Sequence, residues 1–230
     1  MCSQDNLTWC GKNYSKYIDM VCGQTMVSYL PLNHIAGQMA DIYCATSSGH
    51  CIYFADPDAL KGSLAITLKE VQPTIFLTVP RFLERIYEKI NSQIEAAGFA
   101  KKSVVTWARS QALNYHKATI DGRDLTQFEM YNYKLAKSLV LDNVKRAIGF
   151  SNIKRFACGT APISNELFNF FLSFDCPIIN AFGLSETQAV GTMGNIAKNS
   201  YREGSLGKPM ESIEFQIQER SLQVIVSLGS

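Results

Sequence analysis

Short, β-rich apolar runs alternate along this chain with longer stretches of helical period, and this alternation restricts its fold more than any other feature. Buried central strands have that appearance, and the connections between them are long enough to hold helices. The pattern is that of an α/β domain with a mainly parallel sheet flanked by helices. Five strands are predicted, at Val27 to Leu32, Cys51 to Ala55, Thr74 to Val79, Ile153 to Cys158 and Pro177 to Phe182, each close to a Gly, Pro, Asp or Asn that can turn the chain.

Between the strands, Phe82, Ile86, Ile90 and Ile94 recur four residues apart within Arg81 to Ala97 and form one apolar helical stripe. Gly98 is expected to close that helix. Two further helices are predicted, near Ser103 to Ala118 and over about Thr126 to Ile148 with its end at Gly149, separated by the loop Asp121-Gly122-Arg123-Asp124. This pair reads as outer-layer packing, with a separate subdomain as the alternative.

The chain has 230 residues, 47% hydrophobic and 18% charged, which is enough for one sizeable core. Its 22 basic and 20 acidic residues are dispersed and leave a net charge of +2, so no electrostatic footprint for nucleic acid is present. The seven cysteines are odd in number and none forms a CxxC pair, so they read as reduced, mostly buried thiols. No basic flank precedes an apolar stretch at the start, and no apolar run reaches the ~20 residues of a membrane span. A cytoplasmic chain is expected, with peripheral attachment to a membrane surface left open.

The segment Asn180-Ala181-Phe182-Gly183-Leu184-Ser185-Glu186-Thr187 follows a predicted strand, at the kind of strand end where open α/β sheets bind ligands. An aromatic ring can stack on a base there, a glycine lets backbone approach a ligand, and a hydroxyl beside a carboxylate can meet a phosphate and its magnesium ion. A tight turn with Ser185 capping a following helix is the structural alternative. A second loop, Gly159-Thr160-Ala161-Pro162, follows another strand and leads through Ser164, placed as an N-cap, to a helix with Glu166 in its first turn. Two such loops at the ends of successive strands favour a ligand site. His34 stands alone between apolar residues and is as readily a packed residue as a functional one, while His50 and His116 offer no metal spacing with it and read as structural.

Four segments, taken in order, resemble the adenylate-forming superfamily of acyl-CoA synthetases, luciferases and peptide-synthetase adenylation domains. Tyr29-Leu30-Pro31-Leu32-Asn33-His34-Ile35-Ala36-Gly37 is similar to its LPLxHxxG segment, Gly159-Thr160-Ala161-Pro162 to its GGAP-like loop, Phe182-Gly183-Leu184-Ser185-Glu186-Thr187 to its YGxTE motif, and Ser205-Leu206-Gly207-Lys208-Pro209 to its SVGxP segment. The wording around Asp56-Pro57-Asp58-Ala59-Leu60, Pro73-Thr74-Ile75-Phe76-Leu77 and Leu184-Ser185-Glu186 looks most like the long-chain and very-long-chain acyl-CoA synthetases of the bubblegum type.

The resemblance implies a long-chain fatty acid–CoA ligase using ATP, Mg2+ and coenzyme A through an acyl-adenylate. It implies Glu186 as magnesium ligand and Ser185 as phosphate contact, the two catalytic candidates. Phe182 would stack on adenine where Tyr is more usual, and Gly159, Thr160, Ala161 and Pro162 would form the other adenine wall. Asn180, Ala181, Gly183 and Leu184 complete the nucleotide segment, and His34 with Gly159 would line the acyl region.

Relatives also carry a Gly, Ser and Thr-rich phosphate loop ending near a Lys, an Asp that holds ribose, and a small C-terminal domain with a catalytic Lys; none is found in residues 1–230. Ser3 to Trp9 resembles the stretch just after the phosphate loop. Residues 1–230 are therefore expected to be a partial adenylation domain that turns over no acyl-CoA alone, with its first 26 residues poorly ordered. Residues 220–230 depart from the family pattern and could form an exposed apolar strand. Two alternatives stand: another adenylate-forming ligase, or a non-catalytic lipid- or adenylate-binding chain.

Overall fold

The computed structural model describes residues 3–189, 191–194, 201–211, 213–215 and 227–228. Helix α1 (Gln4–Tyr17) precedes strand β1 (Thr25–Ser28). Helix α2 (Ile35–Gln38), a π-helical segment (Met39–Cys44) and helix α3 (Ala45–Ser48) then follow without a break in helical backbone and lead to β2 (Cys51–Phe54). Next come α4 (Leu64–Val71), β3 (Ile75–Thr78), α5 (Pro80–Glu95), α6 (Phe99–Asp121) and α7 (Gln127–Ala136). A second π-helical segment (Lys137–Leu141) joins α7 to α8 (Asp142–Ile148), which precedes β4 (Arg155–Cys158), α9 (Asn165–Ser173) and β5 (Ile179–Gly183). Strands β6 (Gly191–Met193), β7 (Lys208–Pro209), β8 (Ile213–Glu214) and β9 (Ser227–Leu228) complete the described elements.

All five predicted strands are present, and they pair in the order β2-β1-β3-β4-β5, every neighbour parallel. Parallel pairing needs crossover connections, which the intervening helices supply. After β5 the chain turns tightly, so β6 returns antiparallel to β5, and β7 pairs antiparallel to β6. This antiparallel margin on the seven-stranded sheet was absent from the predicted elements, because runs of two or three residues carry no readable period. The tail predicted as an apolar strand lies outside the described residues except for 227–228, whose backbone pairs with Ile213–Glu214.

Both faces of the sheet are covered, which explains why the strands are apolar without alternation. Adjacent residues of β3 go to opposite cores: Phe76 joins the larger one with Phe150, Phe156 and Phe171, while Ile75 joins a smaller one with Cys10, Tyr14, Met26 and Met39. Strand β1 divides in the same way, with Val27 on one side and Met26 on the other. The Phe76 ring lies 5.6 Å from that of Phe150 and 5.9 Å from that of Phe156, and each fully buried ring contributes ~1.5–3 kcal/mol relative to exposure. Residues of α5, α6, α7 and α8 belong to this same larger core, so the helical pair is outer-layer packing within the domain.

Two sequence expectations are corrected. Helix α5 ends at Glu95, capped by Ala96, and Gly98 instead takes an extended conformation as the N-cap of α6. The apolar stripe stops at Ile94, and a glycine is as acceptable before a helix as after one. The first 26 residues include an ordered helix: Ser3 and Asn6 form a capping box, and Cys10, Tyr14 and Tyr17 are buried against the sheet. Gly11 makes this possible, because a Cβ there would stand 2.8 Å from the Tyr43 backbone.

Gly149 ends α8 in the left-handed region at φ 88, and a Cβ there would stand 2.4 Å from the Leu68 carbonyl carbon. Gly149→Ala should therefore cost about 2–4 kcal/mol, from backbone strain together with displacement of α4. Urea unfolding of the two proteins measures it, and a loss below ~1 kcal/mol would mean that the α4–α8 contact yields easily.

Candidate active site

The carboxyl ends of β1, β3, β4 and β5 open on one edge of the sheet, and a cavity of 310 Å³ lies there. Its apolar lining includes Leu30, Ile35, Met39, Leu77 and Ala181, with Tyr14 of α1 beside them. Its polar groups are His34, Thr78, Thr160, Ser185 and Glu186. Burial raises the Tyr14 pKa above that of an ordinary phenol, and it pushes the nearby Cys44 thiol up to about 12, so both stay neutral. A largely apolar lining with a few polar groups suits an apolar chain with a polar head.

The Leu184–Ala189 turn after β5 has a defined architecture. Leu184 N–H donates to Thr187 Oγ1 at 3.0 Å, that hydroxyl donates to Leu184 O at 3.2 Å, and Ala189 N–H donates to the same carbonyl at 2.9 Å. No helix follows at once, so Ser185 is exposed at the tip of a tight turn beside Glu186. Gln188 and Ala189 are left-handed, with φ 53 and 62, and Thr160 across the cavity has φ 73. Two of the six described non-glycine residues with positive φ, Thr160 and Ala189, therefore line this one cavity, and such strain persists where the surroundings hold it.

The structure brings His34, Gly159, Thr160, Ala181, Gly183, Leu184, Ser185 and Glu186 together on the cavity wall. Ala161, Pro162, Asn180 and Phe182 are not on it. Strand alternation explains the last two: Ala181 and Gly183 face the cavity, which sends Asn180 and Phe182 to the other side. There the Asn180 carboxamide donates to Ser205 O at 3.2 Å, tying in the Ser205–Pro209 segment, and Phe182 lies half-buried beside Gly191. His34 is exposed and caps α2, its Nδ1 accepting from Ala36 N–H at 3.1 Å, so its neutral form carries the proton on Nε2. Ser164 caps α9 as expected, accepting from Leu167 N–H.

His50 is buried against Ser48 and His116 against Asp175, in keeping with structural roles. Sequence reasoning missed Tyr14 and Met39, which line the cavity from elements outside the motifs; the buried Cys10-Tyr14-Tyr17 spacing was the one available signal. Among the described residues no group of three or more His, Cys, Asp or Glu could hold a metal ion, and no helix is long and apolar enough to cross a membrane. A lone carboxylate such as Glu186 fits a magnesium ion held chiefly through substrate phosphates.

Strand-end loops around a crevice at the carboxyl edge of a mainly parallel sheet define an open α/β ligand-binding fold, and the chain belongs to the AMP-binding enzyme family, whose model matches residues 1–227. It is 40% identical over 209 residues to the long-chain-fatty-acid–CoA ligase ACSBG2 of Homo sapiens, covering 90% of this chain and 31% of that protein. Against ACSBG1 of Homo sapiens the identity is 39% over 212 residues, covering 90% and 28%. The chain thus spans about a third of the length of the curated relatives it matches. At the level of fold, the o-succinylbenzoate CoA synthetase of Bacillus subtilis, solved with its acyl-adenylate OSB-AMP, superposes with a TM-score of 0.60 at 16% identity, over 97% of this chain and 34% of that one. The N-terminal domain of FACL13 from Mycobacterium tuberculosis gives 0.58 at 12% identity, over 97% and 43%.

Proposed function

We propose that residues 1–230 form part of the adenylation domain of a long-chain fatty acid–CoA ligase. The observation that carries the reading is the cavity, whose largely apolar lining meets Ser185 and Glu186 on the turn after β5. A fatty carboxylate oxygen attacks the α-phosphorus of ATP, the bond to the bridging oxygen breaks, and pyrophosphate leaves. The coenzyme A thiol then loses its proton and its sulfur attacks the acyl carbon, so AMP departs and the thioester forms.

The first step joins two anions, so orientation and charge neutralisation limit it. When bound, Mg2+ supplies that neutralisation, with Glu186 as its protein ligand. Ser185 hydrogen-bonds a phosphate oxygen. Phe182, on the face of β5 turned away from the cavity, stacks on adenine there; Gly159, Thr160, Ala161 and Pro162 bound the adenine site, and the Asn180 to Leu184 backbone shapes the segment between. His34 lines the substrate region, where its Nε2–H is a donor. A cytoplasmic enzyme attached peripherally to membranes suits a substrate that partitions into lipid.

Calorimetric titration of the chain with a non-hydrolysable long-chain acyl-adenylate analogue and Mg2+ tests this. Saturable binding is expected, with Phe182→Ala costing about 1–3 kcal/mol from the lost stacking and Glu186→Ala weakening binding as well. Absence of binding, or binding that ignores both substitutions, would sink the proposal.

A further inference from the structure

The turn that presents Ser185 and Glu186 is held from beneath by groups that lie outside the motif residues. Gln188 is 3% exposed. Its Nε2 donates to the Glu186 carbonyl oxygen at 3.1 Å, and its Oε1 accepts from the Cys10 thiol at 3.5 Å. Cys10 is fully buried on α1, and its sulfur also lies 3.9 Å from the Thr187 carbonyl oxygen. Further along the same helix, Tyr17 donates its hydroxyl to Met193 O at 3.1 Å, so α1 braces both β6 and the turn between β5 and β6.

Left-handed backbone at a non-glycine residue costs ~1–3 kcal/mol, and two such residues stand in succession here. A conformation of that kind is retained where side chains satisfy its backbone groups. The Gln188 carboxamide does so, reaching back two residues to the carbonyl of Glu186 while its other end meets a buried element.

We infer that Gln188 is a positioning residue for Glu186, anchored by the Cys10 thiol, so that the Cys10–Gln188–Glu186 chain of hydrogen bonds sets the orientation in which Glu186 meets a nucleotide-bound metal ion. The inference rests on the function proposed above. The amide is the stronger link, since sulfur is a weak donor. Partners one step removed from a metal ligand typically control 10–100-fold in metal affinity.

The test uses the chain itself with a non-hydrolysable ATP analogue, titrated with and without Mn2+, alongside hydrogen exchange of the turn amides. Gln188→Ala should lower the Mn2+-dependent affinity roughly tenfold and leave the metal-free affinity near that of the unmodified chain. It should also speed exchange at the Thr187 and Ala189 amides, both bonded to Leu184 O, without altering the α1 amides. Cys10→Val should reproduce part of this loss, and Cys10→Ser, which restores a donor, should recover it.

If Gln188→Ala does not fold, Gln188→Met keeps the volume and removes both hydrogen bonds. An unmodified chain that binds the analogue, with a Gln188 variant that keeps full Mn2+-dependent affinity, overturns this inference alone. An unmodified chain that does not bind overturns the proposed function, and the inference falls with it.

Discussion

Replacing Asp175 with asparagine should destabilise the fold by about 3–5 kcal/mol, the cost of removing one partner from a buried ionic cluster. Its side chain is 7% exposed and accepts from His116 Nε2 at 3.0 Å, Tyr133 Oη at 2.7 Å, Lys137 Nζ at 2.9 Å and Lys145 Nζ at 2.6 Å. The donors come from α6, α7, the second π-helical segment and α8, so a single carboxylate ties the whole helical layer to the loop before β5. Burial by itself would raise the Asp175 pKa, but His116, Lys145 and Tyr133 outweigh it and hold the carboxyl well below the usual range.

The sign for stability follows. A carboxylate with a depressed folded pKa contributes fully above its unfolded value of about 3.9, and the contribution is lost as pH falls below that. Asp175→Asn should therefore be far less stable than the unmodified protein at pH 6, and the gap should narrow steadily below about pH 4. Urea unfolding at several pH values measures both. A loss under ~1 kcal/mol at pH 6, or a gap that does not change with pH, would show that the cluster is not a net stabilising device.

Gly183→Ala should abolish most acyl-adenylate affinity, by at least about tenfold or 1.4 kcal/mol. A Cβ at Gly183 would stand 2.3 Å from the Ala189 carbonyl carbon, and the obstacle is backbone, so the turn itself must move. Ser185 and Glu186 ride on that turn. Gly98→Ala is the control, since a Cβ there meets nothing within 4 Å and its backbone is ordinary. Calorimetry with the acyl-adenylate analogue, on proteins shown by circular dichroism to be folded, decides the matter. Equal affinity in folded Gly183→Ala would mean that the turn is dispensable for binding.

Much of the architecture was legible before any coordinates. The five parallel strands were readable because strands buried on both faces are apolar throughout, and the α8 end was readable because Gly149 is the residue a left-handed cap prefers. The Gly98 assignment failed because a glycine between two helices can serve either, and the register of the preceding helix decides which. The π-helical segments at Met39–Cys44 and Lys137–Leu141 left no trace in the pattern, since each inserts within a continuous helical run.

By itself the sequence determined the fold class, the family and the loops that carry the candidate chemistry, because each of these is written in contiguous residues. The tertiary structure decided which of those residues share a cavity, sending Ala181 to one side of β5 and Phe182 to the other, and it brought Tyr14 and Cys10 beneath a turn more than 170 residues away along the chain. It also assembled Asp175 with four donors from four separate segments. Contacts of this kind form only when packing closes the distance between segments, and no local pattern records them.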